Sequence, residues 1–279
     1  MEKGTLYLVA TPIGNLEDIT LRAIKVLKEV DLIAAEDTRQ TLKLLNHLEI
    51  SKKLISYHRH NEDVKKEILI EKLLEGQNIA IVTDAGTPAI SDPGEEIVKE
   101  AIKNNINIVP IPGACALINA LIASGLDTKE FSFYAFLPLN KKLRKNKFEE
   151  IKKDGKTAII YEAPHKLINT LNDILNNLGD RKIVLARELT KIHEEYIRGN
   201  VTEIINIFKD KDPKGEFIIL IEGIKIKEEN NLNNLSLEEH YKYYENQGIE
   251  KKEIIKKIAK DRNVSKNEIY QKFIKNDKI

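Results

Sequence analysis

The densest chemistry-bearing pattern in the chain is Val82-Thr83-Asp84-Ala85-Gly86-Thr87-Pro88-Ala89-Ile90-Ser91-Asp92-Pro93-Gly94. It follows an apolar, strand-like run, turns at two prolines and enters a helical pattern. Glycine permits close backbone approach to a ligand, and the free amides at a helix start face carboxylates or phosphates. A connection of this length between strand and helix favours a binding loop over a plain connector. Two more loops hold the same place after a strand. One is Ala10-Thr11-Pro12-Ile13-Gly14-Asn15-Leu16-Glu17-Asp18, the other Ile111-Pro112-Gly113-Ala114-Cys115-Ala116. Ligands of open α/β sheets lie beyond the carboxyl ends of the strands, so three loops at one edge imply one pocket. None of them reads G-x-G-x-x-G or G-x-x-x-x-G-K-[ST], which argues against dinucleotide and P-loop sites.

Other strand ends carry titratable groups. In Ala35-Glu36-Asp37-Thr38-Arg39 two adjacent carboxylates could accept a proton, bind metal or cap a helix. Arg39 beside them favours their ionised, weakly basic forms. Tyr57-His58-Arg59-His60-Asn61 spaces two histidines along one strand face but lacks a third ligand nearby, so no metal site is expected. Tyr161-Glu162-Ala163-Pro164-His165-Lys166 and Ala186-Arg187-Glu188-Leu189-Thr190-Lys191 end two later strands. One acid or base at a strand end is ordinarily a surface or capping residue, whereas Glu162, His165, Glu188 and Lys191 together point to a site. Glu188 and Lys191 share a face if their turn is helical, and burial would hold Lys191 neutral and able to accept a proton. Cys115 is the single cysteine. It reads as a small packing residue near a helix start.

The elements that must position these loops follow from hydrophobic periodicity. Strand patterns cover residues 5–10, 32–35, 54–57, 79–83 and 108–111, alternating with helical patterns over 20–29, 38–48, 64–75 and 93–104. Asp92 is placed to cap the last of these, with Pro93 at its first position. Alternation of this kind implies βαβ units and a mostly parallel sheet. A small-residue helix over 114–124 follows. The texture then changes, with strands over 131–136, 156–162, 182–186 and 217–222, helices over 167–178 and 202–208, and a basic stretch over 141–153. The expected organisation is an α/β domain over 1–112, a second α/β domain over 113–223, and a linker with a small helical tail over 224–279. In the tail, Ser236-Leu237-Glu238-Glu239 and Ser265-Lys266-Asn267-Glu268 both have capping-box spacing, and the arrangement is similar either to a helix-turn-helix or to a short helical hairpin that serves packing alone.

Composition bounds the function. The 279 residues allow about two domains. With 42% hydrophobic and 32% charged residues the chain buries a real core and is not disordered. Lys+Arg of 45 against Asp+Glu of 44 excludes nucleic-acid binding by bulk charge but leaves room for a local basic patch, and residues 141–153 and the tail are where one is expected. One cysteine excludes an intrachain disulfide and a cysteine zinc cluster. The start shows no signal-peptide pattern, and no apolar run approaches the length of a membrane span, so a cytoplasmic location is expected.

In sequence order, Thr11–Ile19 (T-P-I-G-N-L-E-D-I), Ala35 to Arg39, Asp84 to Gly94, Pro112-Gly113-Ala114, Tyr161 to His165 and Ala186 to Lys191 resemble the tetrapyrrole methylase superfamily, in particular its branch acting on small-subunit ribosomal RNA. Members acting on corrinoid or sirohaem precursors open with a G-x-G-x-G-D-like loop, whereas this chain reads Thr11-Pro12-Ile13-Gly14-Asn15. Departures from the branch's pattern are Cys115 in place of Ser, Arg59 in place of an acidic residue and Lys166 in place of Arg. The resemblance implies two α/β domains with S-adenosyl-L-methionine in the cleft between them. It implies 2′-O-methylation of a cytidine ribose in small-subunit (16S) ribosomal RNA, naked or in the 30S particle, by a homodimer. Cofactor contacts then fall to Pro12, Asp84, Gly86, Thr87, Ile90, Cys115 and Ala116, and from the second domain to Tyr161, Glu162, Leu189 and Gly215. No metal is required. A ribose hydroxyl needs a proton acceptor; the candidates are Glu188, Lys191, Glu36 and Asp37, with the second-domain pair favoured.

Overall fold

The computed structural model describes residues 2–209, 211–224, 232 and 235–276. The expected linker over 225–234 therefore lies, apart from Leu232, outside the described residues. The chain forms two compact units, Met1–Gly223 and Ile224–Ile279.

The first unit holds two five-stranded sheets. Strands β1 (Thr5–Val9), β2 (Leu32–Ala35), β3 (Leu54–Ser56), β4 (Ile79–Val82) and β5 (Asn107–Ile111) order as β3-β2-β4-β1-β5, and every pair is parallel. Every residue of β2 and β4 is buried, as expected of interior strands with both faces covered. Helices α1 (Leu21–Glu29), α2 (Thr38–His47), α3 (Glu62–Leu74) and α4 (Glu95–Lys103) make the crossovers. Because all five strands run the same way, all their carboxyl ends lie along one edge.

The second sheet is mixed. It comprises β6 (Phe131–Phe136), β7 (Thr157–Glu162), β8 (Lys182–Arg187), β9 (Glu195–Asn200) and β10 (Phe217–Ile221), in the order β6-β7-β10-β8-β9. Central β10 is buried throughout and antiparallel to both β7 and β8. That reversal sets the start of β10 beside the ends of β7 and β8, in a register where Ile218 faces both Tyr161 and Ala186. Helices α6 (Lys141–Asp154), α7 (Leu167–Leu178) and α8 (Val201–Ile207) cover one face. The other face takes α5 (Ala116–Ile122), whose Leu117, Ala120 and Leu121 pack on Ile159, Val184, Ile218 and Leu220. The helix that follows the first sheet thus packs against the second.

Strand β9 is absent from the sequence reading. It is an edge strand with exposed and half-buried residues only, so its pattern is too polar to stand out. Helix α4 also departs from expectation. It begins at Glu95 behind Gly94 (φ +137°), not at Pro93 behind an Asp92 cap. Ala89 and Ser91 take left-handed φ of +65° and +64°, and the Ala89 amide donates to the Pro93 carbonyl at 3.2 Å. The loop folds back on itself and carries Asp92 away from the helix.

In the second unit, helices α9 (Leu237–Glu245), α10 (Lys251–Asp261) and α11 (Lys266–Asn276) enclose Ile254, Ile255, Ile258, Ala259 and Ile269. The Ser236–Glu239 capping box forms, and the Glu268 amide donates to Ser265 Oγ at 3.3 Å. His240 is fully buried. Arg262 donates to its Nδ1 at 3.2 Å, which leaves Nε2 to donate to Asp261 at 3.3 Å. Burial holds the imidazole pKa below its ordinary value of 6.5, although the Asp261 hydrogen bond opposes this. The folded unit therefore binds the proton less readily than the unfolded chain, and stability falls as pH drops below about 6.5. Protection factors for amide exchange over α9–α11 are expected to fall between pH 7 and pH 5, and to lose that pH dependence in His240→Asn.

Candidate functional site

Three loops meet at the carboxyl edge of the first sheet, as the sequence implies, and hydrogen bonds hold them together. The Thr11 amide donates to the Gly86 carbonyl at 2.9 Å, and the Gly86 amide donates back to the Thr11 carbonyl at 3.0 Å. Thr87 Oγ1 donates to the Ala114 carbonyl at 3.0 Å. Gly86 has φ +85°, and a Cβ there would meet Ile13 at 3.2 Å, so glycine alone keeps this junction tight.

Against these loops stand the ends of β7 and β8 and the start of β10. Together they enclose a cleft of about 330 Å³. Ile13, Ala85, Gly86, Thr87, Ile90 and Asp92 line it from two loops of the first sheet, and Cys115 and Ala116 from the start of α5. Tyr161, Glu162, Ala163, Pro164 and Phe136 form another wall; Ala186, Leu189, Glu216, Phe217 and Ile218 complete it.

Of the expected cofactor contacts, Gly86, Thr87, Ile90, Cys115, Ala116, Tyr161, Glu162 and Leu189 line this cleft. Pro12, Asp84 and Gly215 are not among the lining residues; each is one position from a residue that is, namely Ile13, Ala85 and Glu216. Gly215 (φ +89°) makes room for Glu188, whose side chain would lie 2.6 Å from a Cβ there. Asp84 accepts the Asp37 amide at 3.0 Å, and its own amide donates to Glu36 at 3.4 Å, so these carboxylates brace the ends of β2 and β4. Glu162 is buried, accepts the Ala163 amide at 2.9 Å and is hydrogen-bonded by Thr170 at 2.5 Å. Thr170 in turn accepts from Arg144 at 2.7 Å.

None of the four expected proton acceptors lines the cleft. Asp37 caps α2 and is gripped by Arg39 at 2.7 Å, whose hydrogen bonds lower its pKa to about 2. Glu188 accepts the Glu216 amide at 3.0 Å and Lys191 at 3.1 Å, and these bonds hold its carboxyl below the usual range despite burial. Burial works against the charge of Lys191, yet its hydrogen bonds to Glu216, at 2.9 Å, and Glu188 hold the ammonium pKa above its ordinary value. A neutral Lys191 is thus not what burial produces: two carboxylates offset the desolvation. Glu188 (φ +50°) and Thr190 (φ +64°) are left-handed, so the turn is not the helical one that would align the pair by spacing alone. Glu36 differs. Burial raises its pKa, and the nearby Asp84 charge adds to this against the Asp84 amide bond.

Asp92 is the site residue that sequence reasoning assigned elsewhere. Its carboxylate lines the cleft and accepts no hydrogen bond among the described residues. Burial, then the charges of Glu36 and Asp84, push its pKa up to about 6, with Arg59 opposing. The neighbouring Ser91 Oγ is buried without a hydrogen-bond partner. Its position in the loop carries a sequence signal, an acid between two non-helical turns, but capping explained it equally well. Among the described residues no group of three or more His, Cys, Asp or Glu could hold a metal ion. The arrangement suits a mostly apolar ligand with a cationic group near Asp92. Gly14 joins the two halves of the site: a Cβ there would lie 2.6 Å from Lys191, 2.8 Å from Thr190 Oγ1 and 3.0 Å from the Leu189 carbonyl. Gly14→Ala is therefore expected to destabilise the first unit by about 1–3 kcal/mol in denaturant unfolding.

Residues 5–205 match the model of the tetrapyrrole (corrin/porphyrin) methylases. The chain is 53% identical over 272 residues to the ribosomal RNA small subunit methyltransferase I of Halalkalibacterium halodurans, covering 96% of this chain and 94% of that one. It is 49% identical to the protein of the same name from Bacillus subtilis, covering 98% and 94%. Among solved structures, the uroporphyrin-III-C-methyltransferase of Thermus thermophilus superposes with a TM-score of 0.53 at 20% identity, over 78% of this chain and 94% of that one. That last likeness speaks to fold. The chain belongs to the tetrapyrrole (corrin/porphyrin) methylase family and, within it, to the ribosomal RNA small subunit methyltransferase I group.

Proposed function

We propose that the chain is an S-adenosyl-L-methionine-dependent methyltransferase that methylates the 2′-oxygen of a cytidine ribose in small-subunit (16S) ribosomal RNA. The observation that carries this reading is Asp92, an unpaired carboxylate in the wall of a largely apolar cleft. A nucleoside with a cationic amino-acid tail has the matching chemistry. At about 330 Å³ the cleft falls in the range of small-molecule sites, about 300–1,000 Å³. The relatives' shared name, over nearly the whole chain, supports the RNA substrate.

Bound there, S-adenosylmethionine supplies a methyl group on a sulfonium, ready for in-line displacement. The chain's residues align and hold. Thr11, Gly86, Thr87 and Ala114 keep the first-sheet loops closed around the cleft, Ile218, Ala186 and Leu189 exclude water, and ionised Asp92 holds positive charge. Of the four proton-acceptor candidates, we assign the ribose proton to Glu36: Asp37 and Glu188 are each tied to a cation and Lys191 to two carboxylates, whereas Glu36 accepts only the Asp84 amide, at 3.4 Å, next to cleft-lining Ala85, and burial raises its pKa. A pKa nearer the working pH makes a better base. The reading extends to a cytoplasmic homodimer that acts on small-subunit RNA, naked or within the 30S particle, with the helical tail assisting docking. No helix among the described residues is long and apolar enough to cross a membrane.

Cofactor affinity measured by calorimetry is expected to rise from pH 5 to pH 7, because a carboxyl with a pKa of about 6 ionises over that range. Asp92→Asn is expected to bind about tenfold weaker or more at pH 7.5, with a flat pH profile. In single-turnover methylation, Glu36→Gln is expected to lose about two orders of magnitude or more in rate with cofactor affinity unchanged. An unaltered rate would remove Glu36 from the chemistry.

A further inference from the structure

We propose that Phe136 is a stacking platform for a nucleobase of the RNA substrate, with the lysines at the start of α6 holding the phosphates beside it. This rests on the methyltransferase reading for the reaction, but the platform itself has its own evidence.

Phe136 lines the cleft and is 58% exposed. It does not drift there. Strand β6 breaks register with β7 between Phe133 and Phe136, so that Phe136 pairs with Tyr161. Ala135 adopts φ +51° to allow it. Bulges next to active sites re-aim side chains in this way. The ring is held edge-to-face by Tyr161, with centroids 5.7 Å apart and planes at 68°, and Tyr161 is backed by Phe133 at 4.9 Å. Leu137, the next residue, is buried in the second-sheet core and anchors the backbone. The result is a rigid aromatic at the rim of the cleft, more than half open to solvent.

The rim position separates the RNA from the cofactor as occupant. Ala186, Leu189, Phe217 and Ile218 are buried cleft walls, suited to the cofactor's nucleoside. Phe136 is where an incoming strand arrives. Charge supports that direction. Five residues further on, within about 18 Å of chain, α6 begins. Lys141, Lys142 and Lys145 are exposed and enter no ion pair among the described residues, while Arg144 and Lys147 are spent on Asp173 and Glu150. A stacking ring followed closely along the chain by free cations is a combination that binds unpaired nucleotides.

The test uses the full chain, small ribosomal subunits lacking the methyl group, and three variants: Phe136→Leu, Phe136→Trp and Lys141→Glu/Lys142→Glu/Lys145→Glu. Subunit affinity is read by co-sedimentation, cofactor affinity by calorimetry, folding by thermal melting and transfer with labelled methyl. Phe136→Leu is expected to lose about ten- to hundredfold in subunit affinity and in kcat/KM for RNA. The loss in subunit affinity should exceed any loss in cofactor affinity by about tenfold or more, and Phe136→Trp should restore subunit binding and transfer. The triple variant should weaken subunit binding and flatten its salt dependence. If Phe136→Leu lowers cofactor affinity and leaves subunit affinity intact, the ring serves the cofactor and the proposal is overturned. It is equally overturned if Phe136→Leu binds and methylates as the parent does. If the parent chain transfers no methyl while Phe136→Leu still loses subunit affinity, the reaction assigned above fails and the platform stands.

Discussion

Two hydrogen bonds between Thr11 and Gly86 hold the rest of the site in place. They join the loops after β1 and β4, neighbouring strands whose carboxyl ends point the same way. Parallel pairing brings the loops to one edge, but it does not close them. Closure needs backbone groups to pair across the gap, and that needs a residue with φ +85° and no side chain in the way, which Gly86 supplies. Thr87 extends the brace to the loop before α5. Since α5 packs on the second sheet through Leu117, Ala120 and Leu121, the same junction reaches the opposite wall.

The carboxylates around this junction are sorted by their partners and burial. Asp37 has a guanidinium, Glu188 an ammonium and an amide, Glu162 a hydroxyl and an amide. Each is committed to structure. Asp92 accepts no hydrogen bond among the described residues and sits in the cleft wall, where the charges of Glu36 and Asp84 act against that of Arg59, whose guanidinium is held on the neighbouring Ser91 carbonyl. A charge in low dielectric without a partner is unfavourable, and the unfavourable state is relieved by a cationic ligand. The site thus keeps one carboxylate unsatisfied while its neighbours build the frame.

The second sheet contributes through antiparallel pairing. Parallel strands alone would gather strand ends only; antiparallel β10 brings a strand start among them. Tyr161, Ile218 and Ala186 fall in one register row, giving a flat apolar wall from three distant stretches of chain. The bulge in β6 then adds Phe136 at the rim.

The sequence by itself determined the alternation of strand and helix in the first half and the three loops at one sheet edge, while the named cleft contacts followed from the family resemblance. These are local signals: apolar runs, Gly and Pro at strand ends, and motif spacing. What only the tertiary structure decided is which groups act together. Asp92 reads as a helix cap until the positive-φ residues Ala89 and Ser91 turn it into the cleft. Glu188 and Lys191 read as a base pair until Glu216, 25 residues beyond Lys191, completes an ion-pair network. Strand β9 is recognisable only by its pairing with β8. Protonation states and edge strands depend on neighbours far along the chain, and periodicity carries no record of distance in space.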